Sequence, residues 1–226
     1  MAFPQIIDYN TSLINTNELT HSQSLPTDIE SGNLLLCFFV CDGITVGITI
    51  SVGSGWSELI TYTLSTCTVG IYYKLSASGS SADNLSLTTN SAQQSASIIY
   101  AISGHDSSKS LHYSIINNNS TNADPPSLTP THGRHDYLWF TCMATLGTTV
   151  ASAQPEYFSD LIVNASSDSS EGVSICSSRR NYHTDNTAYN PSTFTSASAQ
   201  WVAITMVIVP LEGPGFNLNN LFLRFT

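Results

Sequence analysis

Charge is what this sequence has least of. Lys, Arg, Asp and Glu together make up 10% of its 226 residues, against roughly a quarter in ordinary soluble domains. Basic residues are the scarcer kind: six against sixteen acidic ones, for a formal net charge of −10. No Lys/Arg cluster exists beyond Arg179-Arg180. Binding to nucleic acid through phosphate neutralisation is therefore not expected, and neither is docking on an anionic membrane. The acidic residues are scattered, a pattern of solubility rather than of an acidic binding tail.

Helical patterning is missing as well. No stretch carries capped apolar residues at i, i+3, i+4, i+7. The longest apolar runs are too short to cross a bilayer as a helix. Met1-Ala2-Phe3-Pro4-Gln5 has neither a basic nor an apolar signal region, so no signal peptide is expected. The five cysteines show no CxxC or zinc spacing. On one strand, Cys37 and Cys41 would sit roughly 13 Å apart at about 3.3 Å per residue, too far for a disulfide. Cys37, Cys67, Cys142 and Cys176 fall in predicted strands and read as small buried hydrophobes with free thiols, in keeping with a reducing cytoplasm. The Asn-x-Ser/Thr sequons at Asn10, Asn84, Asn118, Asn119 and Asn164 are by-products of a Ser/Thr/Asn-rich composition. Catalytic signatures are absent: there is no Gly-x-Ser-x-Gly elbow, no phosphate loop, no EF-hand spacing among Asp160, Asp168, Glu171 and Asp185, and no pair of acids on predicted inner faces.

What the sequence does have is short strands at regular spacing. Asn33-Leu34-Leu35-Leu36-Cys37-Phe38-Phe39-Val40-Cys41-Asp42-Gly43 is an unbroken apolar run closed by a turn pair, which predicts a strand buried on both faces. About a hundred residues on, Asp136-Tyr137-Leu138-Trp139-Phe140-Thr141-Cys142-Met143-Ala144-Thr145-Leu146-Gly147 repeats the pattern. The segments that follow also correspond: Ser57 to Leu64 with Ser159 to Val163, Cys67 to Ser76 with Gly172 to Arg180, Asn84 to Thr88 with Ser192 to Thr195, and Ser95 to Ser103 with Gln200 to Val209. Trp56 is answered by Tyr157. This is a weak internal duplication. It predicts an all-β, jelly-roll-like β-sandwich built from two similar halves, each contributing strands to both sheets. The expected organisation is a lead-in over 1–32 holding two short strands, Gln5 to Asp8 and Glu18 to Ser24. The sandwich follows over 33–210, with halves of about 33–104 and 136–210 and a connector over 105–135. A C-terminal extension over 211–226 ends the chain.

Three features could carry function. The apolar tail Phe216, Leu218, Leu221, Phe222, Leu223 and Phe225 is either a last strand on its own sandwich or an arm that docks on a neighbouring subunit, and Gly213-Pro214-Gly215 favours the arm. His132, His135 and Asp136 could ligate a metal, but no second His/Cys pair has complementary spacing, which favours a surface turn leading into a strand. Trp56, Tyr157 and Trp201 could stack on sugars, although such rings more often seal a sandwich core. Trp56 and Tyr157 are the candidates for glycan contact.

Seven pieces in order carry a family resemblance: Gly32 to Phe38, Gly55-Trp56-Ser57-Glu58-Leu59, Ile71-Tyr72-Tyr73-Lys74, Ser97 to Gly104, Asp124 to Pro130, Asp136-Tyr137-Leu138-Trp139, and Gln200 to Thr205. Together, over residues 25–210, they resemble a jelly-roll-like β-sandwich module of tailed-bacteriophage structural proteins. The resemblance implies a virion component without catalytic residues, metal or cofactor. A short acidic copy points to a capsid decoration or cement protein, made in the host cytoplasm and carried on the virion surface. Its expected partners are the major capsid protein and copies of itself. The alternative is a tail fibre or receptor-binding protein that contacts glycan.

Overall fold

The computed structural model describes residues 3–43, 50–52, 55–78, 83–168 and 171–212. Every element among them is a strand, numbered β1 to β13: β1 (Gln5–Gln23), β2 (Leu34–Asp42), β3 (Ile50–Val52), β4 (Ser57–Thr63), β5 (Cys67–Lys74), β6 (Leu85–Ser103), β7 (His112–Ser120), β8 (Arg134–Leu146), β9 (Ala151–Ala153), β10 (Ser159–Ala165), β11 (Val173–Asp185), β12 (Thr195–Ser196) and β13 (Ala199–Ile208). All pairings are antiparallel. The first sheet runs β1-β6-β2-β5-β4 with β3 added on β6, and the second runs β10-β11-β8-β13-β7. They stack face to face as a β-sandwich.

The central strands are apolar on both sides because both sides are covered. Leu34, Leu36, Phe38 and Val40 of β2 face the inter-sheet core, opposite Leu138, Phe140, Cys142 and Ala144 of β8. Rings meet across the middle, Phe38 on Phe140 at 5.9 Å and Tyr100 on Phe140 at 4.8 Å. The Tyr100 hydroxyl reaches Ser177 of β11 at 2.5 Å, which satisfies the buried polar groups of both. On the other side of β2, Leu35, Cys37, Phe39 and Cys41 pack under Leu25, Ile29, Val52, Trp56, Leu85 and Leu87. The outer side of the second sheet is closed in two places, over Trp201 by Ala151 and Phe194 and over Trp139 by Leu128 and Phe158. All five cysteines are buried with free thiols.

The sheets are assembled differently from the expected interleaving. Each half builds one whole sheet: the first contains only strands up to Ser103, the second only strands from His112 onward. Substituting β7, β13, β8, β11 and β10 for β1, β6, β2, β5 and β4 converts one strand order into the other. The registers agree too. Leu35 lies opposite Lys74 as Trp139 lies opposite Arg180, and Ser57 opposite Tyr73 as Ser159 opposite Arg179. Both edge strands are then bulged at the same place, before Ile60 and before Ile162. The duplication thus extends to the segments read as lead-in and connector, whose strands β1 and β7 occupy equivalent edges.

Two strands are longer than the sequence suggests. The two short strands expected in the lead-in are one strand, β1, with its register broken between Ile14 and Thr20. Asn84 to Thr88 and Ser95 to Ser103 are likewise joined in β6.

Candidate functional site

The turn Pro155-Glu156-Tyr157-Phe158 enters β10 and is closed by the Phe158 amide donating to the Pro155 carbonyl at 3.1 Å. Its third residue, Tyr157, has φ 68, a backbone region that glycine occupies freely and other residues avoid. Phe158 points down and is buried; Tyr157 points out and is 70% exposed.

Beneath Tyr157 lies Arg180, on the outer face of β11. Its guanidinium carbon stands 5.2 Å from the Tyr157 ring centre, 4.2 Å from Tyr182 and 4.9 Å from Tyr189. One guanidinium N–H donates to the Tyr189 hydroxyl at 2.5 Å. Tyr182 and Tyr189 contact each other at 5.3 Å and rest on buried Trp139 at 6.4 and 5.3 Å. The Trp139 indole N–H meets no hydrogen-bond acceptor among the described residues, and its ring stands edge-on to Tyr189. The Glu156 side chain bonds the Tyr157 phenol and pushes its pKa up, which Arg180 partly opposes. The result is a rigid aromatic floor, a cation held by its faces, and one exposed ring beside it.

The equivalent place in the first half is closed. The structure sets Phe158, not Tyr157, opposite Trp56, because Ser57 and Ser159 hold the same register. Tyr157 therefore corresponds to Gly55, which has φ 84, and Arg180 to Lys74. Lys74 pairs with Asp83 at 2.8 Å, with side chains only 15% and 0% exposed. Trp56 is 7% exposed and its indole N–H donates to the Asp83 carbonyl at 2.8 Å. Of the two rings read as glycan contacts, Tyr157 is at the surface and Trp56 is in the core. Trp201 is buried as well. Sequence reasoning missed Arg180, Tyr182 and Tyr189. The available signal was the alternation Arg180, Tyr182 on one face of a strand whose first part is core.

The cluster at the start of β8 does not converge. His135 turns inward and bonds the His132 carbonyl at 2.6 Å, while Asp136 takes His183 at 2.6 Å and Arg134 takes Asp185 at 2.9 Å. No group of three potential metal ligands is found among the described residues. Asp160 pairs with Arg179 at 2.5 Å, above a cavity of about 140 Å³ lined also by Ile6, Tyr9, Tyr100 and Ile162. The tail residues Phe216, Leu218, Leu221, Phe222, Leu223 and Phe225 lie outside the described residues.

Comparison with protein families, with curated proteins and with solved structures finds no match.

Proposed function

We propose that this chain is a non-enzymatic structural protein of a tailed-phage virion, a decoration or cement protein seated on the outer shell. The observation that carries the reading is β1. It is a 19-residue strand at the edge of its sheet, and Ile7, Tyr9, Leu13 and Leu19 along it are 37–52% exposed. Among the described residues no further strand pairs with this edge, and a long open edge with apolar side chains is an association hazard in a free monomer. In a protein that works as part of a shell it is a docking surface, either for backbone pairing or for apolar packing. The major capsid protein and further copies of this chain are the proposed partners, with symmetric self-association as the default geometry. The C-terminal arm, residues 211–226, is a second proposed contact with a neighbour.

The test is the copy number of the protein in purified virions, measured by quantitative mass spectrometry against the major shell protein. A number comparable with the shell protein supports decoration. A handful per particle refutes it in favour of a tail component, and absence refutes both. Deleting residues 214–226 and measuring incorporation tests the arm separately. Unchanged incorporation overturns that part.

A second reading, a tail-fibre or receptor-binding protein that contacts glycan, is favoured by one observation, the exposed Tyr157 ring beside Arg180.

A further inference from the structure

We infer that the outer face of the second sheet, at Tyr157 and Arg180, is a binding site for a carboxylate-bearing sugar. This deepens the second reading above and rests on it for the class of ligand, though not for the place of the protein on the particle.

The argument begins with Arg180. Lys74, Arg134 and Arg179 each hold an aspartate, at 2.8, 2.9 and 2.5 Å. Arg180 holds none among the described residues. It is half-buried, stacked between tyrosine faces that fix the plane of its guanidinium. Of its five N–H donors, one is used among the described residues, on Tyr189. A fixed fork with unused donors matches the two oxygens of a carboxylate. The ring contacts and this bond already hold it in place, so little side-chain entropy remains to be lost on binding.

Tyr157 supplies the second contact. The first half places Gly55 at this position of the turn, at nearly the same positive φ. The second half keeps a tyrosine there against its backbone preference and leaves most of the ring in solvent. Strain of this sort gathers where a side chain is required for contact rather than for packing. An exposed, rigid aromatic face is a platform for the C–H face of a pyranose. The guanidinium lies beneath this ring, 5.2 Å from its centre. A pyranose stacked on the outward side of Tyr157 can bring a ring carboxylate over the ring's rim toward Arg180. A neutral hexose would meet the same ring but leave the guanidinium fork unmatched. Charge complementarity selects the acidic sugar.

The experiment is calorimetric and NMR titration of the full chain with methyl β-D-glucuronide and, in parallel, methyl β-D-glucoside. The expected result is saturable glucuronide binding, about ten- to a hundredfold tighter than the glucoside, the range of one charge-assisted bond pair. Arg180→Met should bring the two sugars to parity, and Arg180→Lys should restore only part of the preference. Tyr157→Gly, which installs the residue the first half already uses, should weaken both sugars equally while thermal unfolding stays unchanged. Glucoside binding as tight as glucuronide overturns the carboxylate assignment alone. A preference that survives Arg180→Met moves the site elsewhere and overturns the inference. Silence toward both sugars overturns the inference together with the glycan reading, and leaves the virion copy number to decide decoration by itself.

Discussion

Asp83→Ala should be among the most damaging substitutions in the molecule. Asp83 is fully buried, takes Lys74 at 2.8 Å, and accepts the Ser78 amide at 2.9 Å and the Ser78 hydroxyl at 3.0 Å. Removing one partner of a buried ion pair costs about 3–5 kcal/mol, because the other charge stays in a poor solvent. The Ser78 amide loses its acceptor as well, worth about 1–3 kcal/mol. Together these give a loss of roughly 4–8 kcal/mol, which in a chain of this size lowers Tm by about 10–30 °C. Lys74→Met leaves the fully buried Asp83 carboxylate without its cation, which costs about 3–5 kcal/mol, but it spares the Ser78 bonds. The double variant should then cost at least about 2 kcal/mol less than the sum of the singles. Arg180→Met, at the equivalent place in the second half, breaks only stacking and one bond to a phenol, and should stay within about 2 kcal/mol. Urea unfolding followed by circular dichroism measures all four variants. Additive singles, or an Asp83→Ala loss no larger than that of Arg180→Met, would refute the idea that the first half is closed by an ion pair and the second is not.

Asp42 is a buried acceptor for the Gln94 amide at 2.6 Å, and burial, with Glu171 and Asp168 nearby, pushes its carboxyl from 3.8 up to about 6. A raised carboxyl pKa means the folded state holds its proton longer than the unfolded one. The native state therefore loses stability as pH rises from about 4 to about 6. At about 1.4 kcal/mol per pH unit, Asp42→Asn should gain roughly 3 kcal/mol relative to the parent chain between pH 4 and pH 7, and a difference independent of pH would contradict it. Phe140→Ala, which empties the contact between Phe38 and Tyr100 at the centre of the core, should cost about 3–5 kcal/mol in the same unfolding assay. Leu19→Lys on the exposed edge of β1 should change stability by less than about 0.5 kcal/mol yet reduce incorporation into virions. Normal incorporation would count against β1 as the docking edge.

The strands of the core were legible in the sequence because their side chains alternate between two buried surfaces. Leu34 to Cys41 and Leu138 to Thr145 announce themselves by apolar continuity, and Cys67 to Tyr73 by period two. How the halves divide between sheets was not legible. A strand buried on both faces has the same local pattern whether its neighbours come from its own half or the other. The edge strands were harder still. β1 is half-exposed or exposed from Gln5 to Thr20, and its two buried positions, His21 and Gln23, are polar, so it looked like a lead-in with turns. Its kinship with β7 is visible only in the pairing with β6 and β13. At the candidate site the error was one residue. Tyr157 and Phe158 are adjacent aromatics, and either could answer Trp56. The register of Ser159 and the sign of φ at Tyr157 decide between them. Arg180 was read as half of a basic pair. In the structure the pair is split across the sheet, with Arg179 turned toward Asp160 at the sandwich edge and Arg180 toward the tyrosines outside.

The tyrosine in that turn is not explained by stability. An L-residue in the left-handed region costs about 1–2 kcal/mol relative to right-handed backbone, while an exposed cation–π contact returns about 0.5–1 kcal/mol. Glycine carries its own entropic cost of roughly 0.5–1 kcal/mol, so the exchange of Tyr157 for glycine sums to about zero. Phe158 and Tyr189, not Tyr157, close the surface over Trp139, so no core contact is lost either. Tyr157→Gly should therefore leave the unfolding free energy within about 1 kcal/mol of the parent, measured by the same urea titration. A loss well beyond that would mean the ring is held for the fold. The step from a strained, exposed tyrosine to a ligand contact would then fail, whatever the sugars do.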